Sequence, residues 1–305
     1  MENLWLLKNK VGKNNNRFVD KIPSLVYLLL CSIGILGLFY GAQATSGISL
    51  LSIRELVPET SSAYRFVGLI CAFIGIWVLL LVYVYIFKNP ISNIGFTKDR
   101  SYRIMANIFS GAAIGLFINF VGIYIYALMF NVQIGFTEQI SNFNVYPYVL
   151  LCFVAFLIQG GAEELVFRGF LTKWLVKKYN LLLVFLLTSI LFSLMHSLGG
   201  VNLIFSIYAL CIGFLLFLVA VDSNSIYKSM VIHGVYNASE ALFKFKDASM
   251  EKAHLFYAND NLKAYQDKAY LIISAITLVF CVYYLIKLHK KNPKWYFMRN
   301  VDINS

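Results

Sequence analysis

Charged side chains are scarce in this sequence. Asp, Glu, Lys and Arg make up 13% of the 305 residues, against about 25% in an ordinary soluble domain. Internal repeats, low-complexity tracts and separate polar domains are missing, so the chain reads as one membrane domain over 1–305. A transporter with Glu163 as proton carrier is disfavoured for the same lack of repeats. Cysteine is limited to Cys31, Cys71, Cys152, Cys211 and Cys281. Each lies in an apolar run and none has CxxC spacing, which points to buried thiols over disulfides or a zinc knuckle. No GxSxG segment is present, so a serine-elbow hydrolase is not supported. No HExxH is present either, and the common zinc-protease helix is therefore absent.

Apolar residues fill the space that charge leaves. They reach 59%, with a mean hydropathy of +0.70 and with 20 Tyr and 26 Phe. That is too much for one soluble core, and it predicts an all-α, polytopic membrane helix bundle. The apolar runs fall at 25–44, 66–87, 104–130, 147–172, 181–197, 201–221, 227–243 and 269–288. A span needs roughly 20 residues, so about eight transmembrane helices are expected, with the fifth and seventh at the short limit. The polar, basic start and the first run lack the pattern of a cleaved signal, so that run reads as the first span. Only SLGG separates runs five and six, which predicts a tight antiparallel pair.

The net charge of +11 does not indicate a nucleic-acid partner, because the basic residues sit in loops between spans. Eighteen of the 26 Lys and Arg fall on one side of the alternating topology and seven on the other, with Arg168 left inside a span. The excess places both termini in the cytoplasm. The long 244–268 connection reads as a small cap on the other side. His254 within it is expected to be solvated, and His289 reads as a cytoplasmic tail residue.

Within the spans remain Glu163, Glu164, Arg168, His196, His233, Asn237 and Glu240. A charge at mid-membrane costs about 2.5–3.5 kcal/mol on insertion scales, so each needs a partner, water or a function. Glu164 and Arg168 are four apart and pair on one helix face. Glu163 is turned about 100° from Glu164 on a helix, so the two need not share a site. That leaves Glu163 as an intramembrane carboxylate without an obvious partner. Singly, His196 at a helix end suits packing, and His233 with Asn237 suits interhelical hydrogen bonding. Glu240 lies near the end of its span and is expected to be solvated. Together they form a hydrolytic set. A desolvated glutamate can take a proton from water, histidine can assist, and an Asn amide can hold an oxyanion. Glu163, His196 and His233 also supply the three protein ligands of a catalytic zinc. Spacing across three helices does not choose between a zinc and no cofactor.

These residues resemble the CPBP family, also called the CAAX amino-terminal protease or Abi family, whose eukaryotic members are type II CAAX prenyl endopeptidases. Its EExxxR motif stands here as Glu163-Glu164-Leu165-Val166-Phe167-Arg168. Its FxxxH motif stands as Phe192 to His196, and its HxxxN motif as His233 to Asn237. The resemblance implies an intramembrane endopeptidase of roughly eight helices with a catalytic core over about 147–243. It implies Glu163 as general base, His196 as its aid with the water, His233 and Asn237 at the oxyanion, and Glu164 with Arg168 organising the site. It implies a glutamate protease or a metalloprotease, acting on a membrane-associated peptide or protein in the lipid bilayer. Candidate substrates are CAAX-like tails or bacteriocin and signalling peptides. The alternative is a non-catalytic immunity or regulatory membrane partner on the same scaffold. A bacterial cell membrane is the expected location. By the apolar limits, Glu163 lies about 15 Å, His196 about 23 Å and His233 about 9 Å from the cytoplasmic side at 1.5 Å per residue. One site therefore requires tilted, shifted or broken helices, and a cavity open to the cytoplasm is expected to reach Glu163.

Overall fold

The computed structural model describes residues 21–53, 62–86, 91–97, 99–197, 202–243, 248–258 and 262–298. It is an all-α membrane bundle. The helices are α1 (Ser24–Ile53), α2 (Ser62–Ile86), α3 (Ser101–Phe130), α4 (Tyr146–Glu164), α5 (Leu181–Ser197), α6 (Leu203–Ser223), α7 (Tyr227–Ala241) and α8 (Leu262–Lys291). Among the described residues, six helical segments are long and apolar enough to cross a membrane. The two short ones are α5, whose limits are those expected, and α7, which ends at Ala241 instead of 243. Both ends of α8 run past the apolar window 269–288, because Leu262-Lys-Ala and Lys290-Lys291 are good helix formers outside the hydrocarbon.

Local chemistry sets several ends. Asn131 and Asn224 adopt the left-handed conformation, with φ of 53° and 54°, and close α3 and α6. Asn tolerates that region better than most residues do. The Asn202 side chain caps α6 by accepting from the Phe205 amide at 3.1 Å. Pro147 sits in the first turn of α4, where its missing N–H costs nothing.

The fourth span is not one regular helix. After Glu164 it widens into a π-helix over Leu165–Leu171 and then returns to an α turn over Thr172–Leu175. The wide segment is buried from end to end. Such segments recur at functional sites.

Close approach of helices brings the polar residues together. A Cβ on Gly160 of α4 would stand 2.7 Å from the Gly234 amide nitrogen of α7, and one on Gly234 would stand 2.7 Å from the Leu157 Cα. Small residues at facing positions let membrane helices touch backbone to backbone. On the other flank of α7, Asn119 of α3 donates to Ser239 Oγ at 2.8 Å. Helices α5 and α6 pack as the expected antiparallel pair, with Ser197 on Ser206, Gly213 on Ser189 and Phe185 on Phe217. The turn residues 198–200 lie outside the described residues.

The helix ends form two distinct faces. On the lysine-rich one, Asp222 of α6 takes Lys287 of α8 at 2.7 Å and also Lys291. There the Ile226 amide donates to Gly95 O at 3.1 Å and the Leu181 amide to Met298 O at 3.2 Å. Basic residues before 21 lie outside the described residues. The opposite face carries a two-stranded antiparallel ribbon, β1 (Ile134–Phe136) with β2 (Phe256–Ala258), in register Gly135 to Tyr257. The Lys252 amide there donates to Ser62 Oγ at 3.1 Å. The 244–268 connection is thus in part ordered. His254, expected to be solvated, is only 2% exposed, because the ribbon covers it and its carbonyl accepts from Thr137 Oγ1 at 2.8 Å. Residues 244–247 and 259–261 lie outside the described residues.

Candidate active site

The site begins with the two adjacent glutamates at the end of α4. Glu164 accepts from Arg168 Nη1 at 2.7 Å, the expected pair on one helix face. Arg168 is 1% exposed. Its Nη2 donates to the Gly213 carbonyl of α6 at 2.8 Å, and its guanidinium lies 4.7 Å from the Phe192 ring centroid. The cation therefore ties α4, α5 and α6 together in a dry interior.

Helical angle alone did not require Glu163 and Glu164 to share a site, and the structure brings both to one. The His233 ring of α7 lies between them. Its Nδ1 is 3.2 Å from Glu164 Oε1, and its Nε2 is 3.8 Å from Glu163 Oε2. The 100° offset on α4 is spanned by the two nitrogens of one imidazole. Glu163 is also not without a neighbour. Gln159 Nε2 donates to its Oε1 at 3.1 Å, and His196 Nε2 of α5 lies 3.5 Å from its Oε2.

Partners on the far side of each ring settle which nitrogen carries hydrogen. His196 Nδ1 is 2.9 Å from the Phe192 carbonyl, which only accepts, so Nδ1 donates. His233 Nδ1 faces the Glu164 carboxylate and donates likewise. In the neutral rings both Nε2 atoms then bear lone pairs. With both rings neutral and Glu163 ionised, three acceptors, Glu163 Oε2 and two Nε2 atoms, converge with no hydrogen between them. Glu163 is 4% exposed, and its Oε2 has no hydrogen-bond partner among the protein atoms. Such a cluster needs a donor, and a water molecule with two O–H groups is the simplest.

The zinc expectation gains no geometric support. Among the described residues no group of three His, Cys, Asp or Glu side chains is disposed to hold a metal ion. No step below passes through one.

Gln159, His196, His233, Asn237 and Glu240 line a cavity of about 320 Å³. Of the two histidines His196 is the accessible one, with 27% of its side chain exposed, and Asn237 is half-buried. Glu240 was expected to be solvated at the end of α7. It is 5% exposed and lines the cavity inside the protein instead of facing outward. Gln159 was missed in the sequence, although its four-residue spacing to Glu163 is the signal that paired Glu164 with Arg168. Phe192 was noted only as a motif letter. Its carbonyl orients His196, its ring packs 4.4 Å from the His196 ring, and it covers Arg168.

The cavity does not run toward the lysine-rich face, as had been expected. It is walled by Arg65 and Leu69 near the start of α2, Phe205 near the start of α6, and Glu240 and Ala241 near the end of α7. All are ends on the ribbon side.

Residues 145–239 match the family model for Rce1-like type II CAAX prenyl endopeptidases. That stretch contains all three motifs, with Gln159, Glu163, Glu164, Arg168, His196, His233 and Asn237. The region is a CAAX-protease domain of the CPBP family. At the level of that family the match supports an intramembrane protease of the CAAX type, and the apolar helices support an integral, multi-pass membrane protein. No curated protein matches the chain.

Proposed function

We propose that the protein hydrolyses a peptide bond of a membrane-associated peptide, using water activated by Glu163. The observation that carries this reading is the convergence of Glu163 Oε2 with His196 Nε2 at 3.5 Å and His233 Nε2 at 3.8 Å. Water between them donates one hydrogen to Glu163 and the other to His196. As the oxygen attacks the carbonyl carbon, its proton passes to Glu163. The carbonyl oxygen becomes an oxyanion, held by the Asn237 amide and by His233. To donate there, His233 must carry hydrogen on Nε2 as well, and Glu164 and Glu163 are the counter-charges to that cation. When the C–N bond breaks, Glu163 returns its proton to the leaving amine. Glu164 and Arg168 touch no reacting atom in this scheme, and they fix the tautomer and position of His233.

The test is purified protein in bilayers with a library of membrane peptides, products being identified by mass. Wild type is expected to cut a subset of the library, while Glu163→Ala and His233→Ala cut none of it. A cellular phenotype that persists unchanged in both variants would instead favour a non-catalytic immunity or regulatory scaffold.

A further inference from the structure

The position of the cavity bears on which substrates can reach it. His196 and His233 line the cavity, and the buried Glu163 lies next to both. From there the lining extends along Phe156 and Gln159 of α4, Leu69 and Arg65 of α2, Phe205 of α6 and Asn237 to Ala241 of α7. Arg65 is exposed. Each of these helix ends lies on the side of the ribbon, where Lys252 meets Ser62 and Asn202 meets Asp267.

The other direction is closed. Between Glu163 and the lysines at 173, 177 and 178 the chain runs through Leu165, Val166, Phe167, Phe170 and Leu171, all of them buried. Arg168 fills the centre of that plug with both of its cited hydrogen bonds made inside the protein. On α7 the residues between Lys228 and His233 include Ser229, Met230 and Ile232, which are buried too.

Charge assigns the faces. Among the described residues, the helix ends and connections of the closed side carry eleven Lys and Arg and those of the open side four. An excess of Lys and Arg marks the cytoplasmic side of a membrane protein. We propose that the cavity is entered from the outer face, and that the substrate is a translocated peptide or an extracytoplasmic juxtamembrane segment, not a cytoplasmic prenylated tail. The substrate half rests on the proteolytic reading above, while the direction of entry does not. The wall favours apolar residues around the scissile bond, because Leu69, Phe156, Phe205 and Ile212 flank the histidines.

Single-cysteine labelling of the full chain in intact cells tests this, with a membrane-impermeant maleimide as the probe. Leu69→Cys and Phe205→Cys report on the cavity. Tyr257→Cys on the ribbon marks one face and Lys290→Cys the other. Wild type, whose five cysteines lie in the spans, is the blank. The proposal expects either cavity variant that reaches the membrane to label in intact cells along with Tyr257→Cys, while Lys290→Cys labels only after permeabilisation. Labelling of the cavity variants only in company with Lys290→Cys would overturn it, as would no labelling of them under either condition. The labelling needs no turnover. A protein labelled from outside but inert toward every peptide would sink the proteolytic reading and leave the direction of entry standing.

Discussion

Replacing Arg168 with methionine removes a charge from the driest part of the protein. The side chain is buried and makes two hydrogen bonds, at 2.7 Å to Glu164 and 2.8 Å to the Gly213 carbonyl. Methionine keeps much of the volume and the packing under Phe192. What it cannot keep is the counter-charge, so Glu164 becomes a buried carboxylate facing only His233. Removing one partner of a buried pair costs about 3–5 kcal/mol. For a chain of this size each kcal/mol shifts the midpoint by roughly 2 °C, so Arg168→Met is expected to melt roughly 6–10 °C below wild type. Adding Glu164→Gln should recover most of the loss. No charge is then stranded, and the amide oxygen still accepts from His233. The assay is thermal unfolding in one detergent of wild type, both single variants and the double. If Arg168→Met matched wild type, or if the double variant fell by the sum of the two single losses, the pair would not be coupled and the reasoning would fail.

Three further outcomes are expected. Gly160→Ala forces a methyl group into the Gly234 backbone at 2.7 Å and should lower stability by about 1–3 kcal/mol. Activity should fall with it, because α4 and α7 carry Glu163 and His233; the readouts are unfolding and cleavage on one preparation. Gln159→Leu leaves Glu163 Oε1 without its donor. A hydrogen bond to a charged group is worth about 1.5–3 kcal/mol, so kcat should drop by roughly tenfold to a hundredfold with little change in KM. Prolonged dialysis against a strong chelator should leave cleavage intact, and activity lost and then restored by one added metal would place an ion in the mechanism.

The parts legible in the sequence were those written in hydropathy or in four-residue spacing. Helix α5 runs over the expected 181–197, and the Glu164–Arg168 pair forms as the helical period requires. The π segment at Leu165–Leu171 leaves no such mark, since its residues are as apolar as those of an ordinary span. Depth bookkeeping showed only that helices had to be tilted, shifted or broken. The His233 bridge between the two glutamates was missed because helical angle describes one helix, while the imidazole arrives from another. Glu240 and His254 looked solvated because both lie at or beyond an apolar limit. They are buried because a neighbouring wall and a ribbon cover them, which are tertiary facts with no local signal.

The central claim concerns one carboxylate. Single-turnover cleavage of the best library peptide by Glu163→Gln, beside wild type of the same melting temperature, addresses it most directly. The account predicts a loss of about 10²–10⁴-fold, the range of a general base, with peptide binding retained. A Glu163→Gln protein that cleaves at the wild-type rate would contradict it.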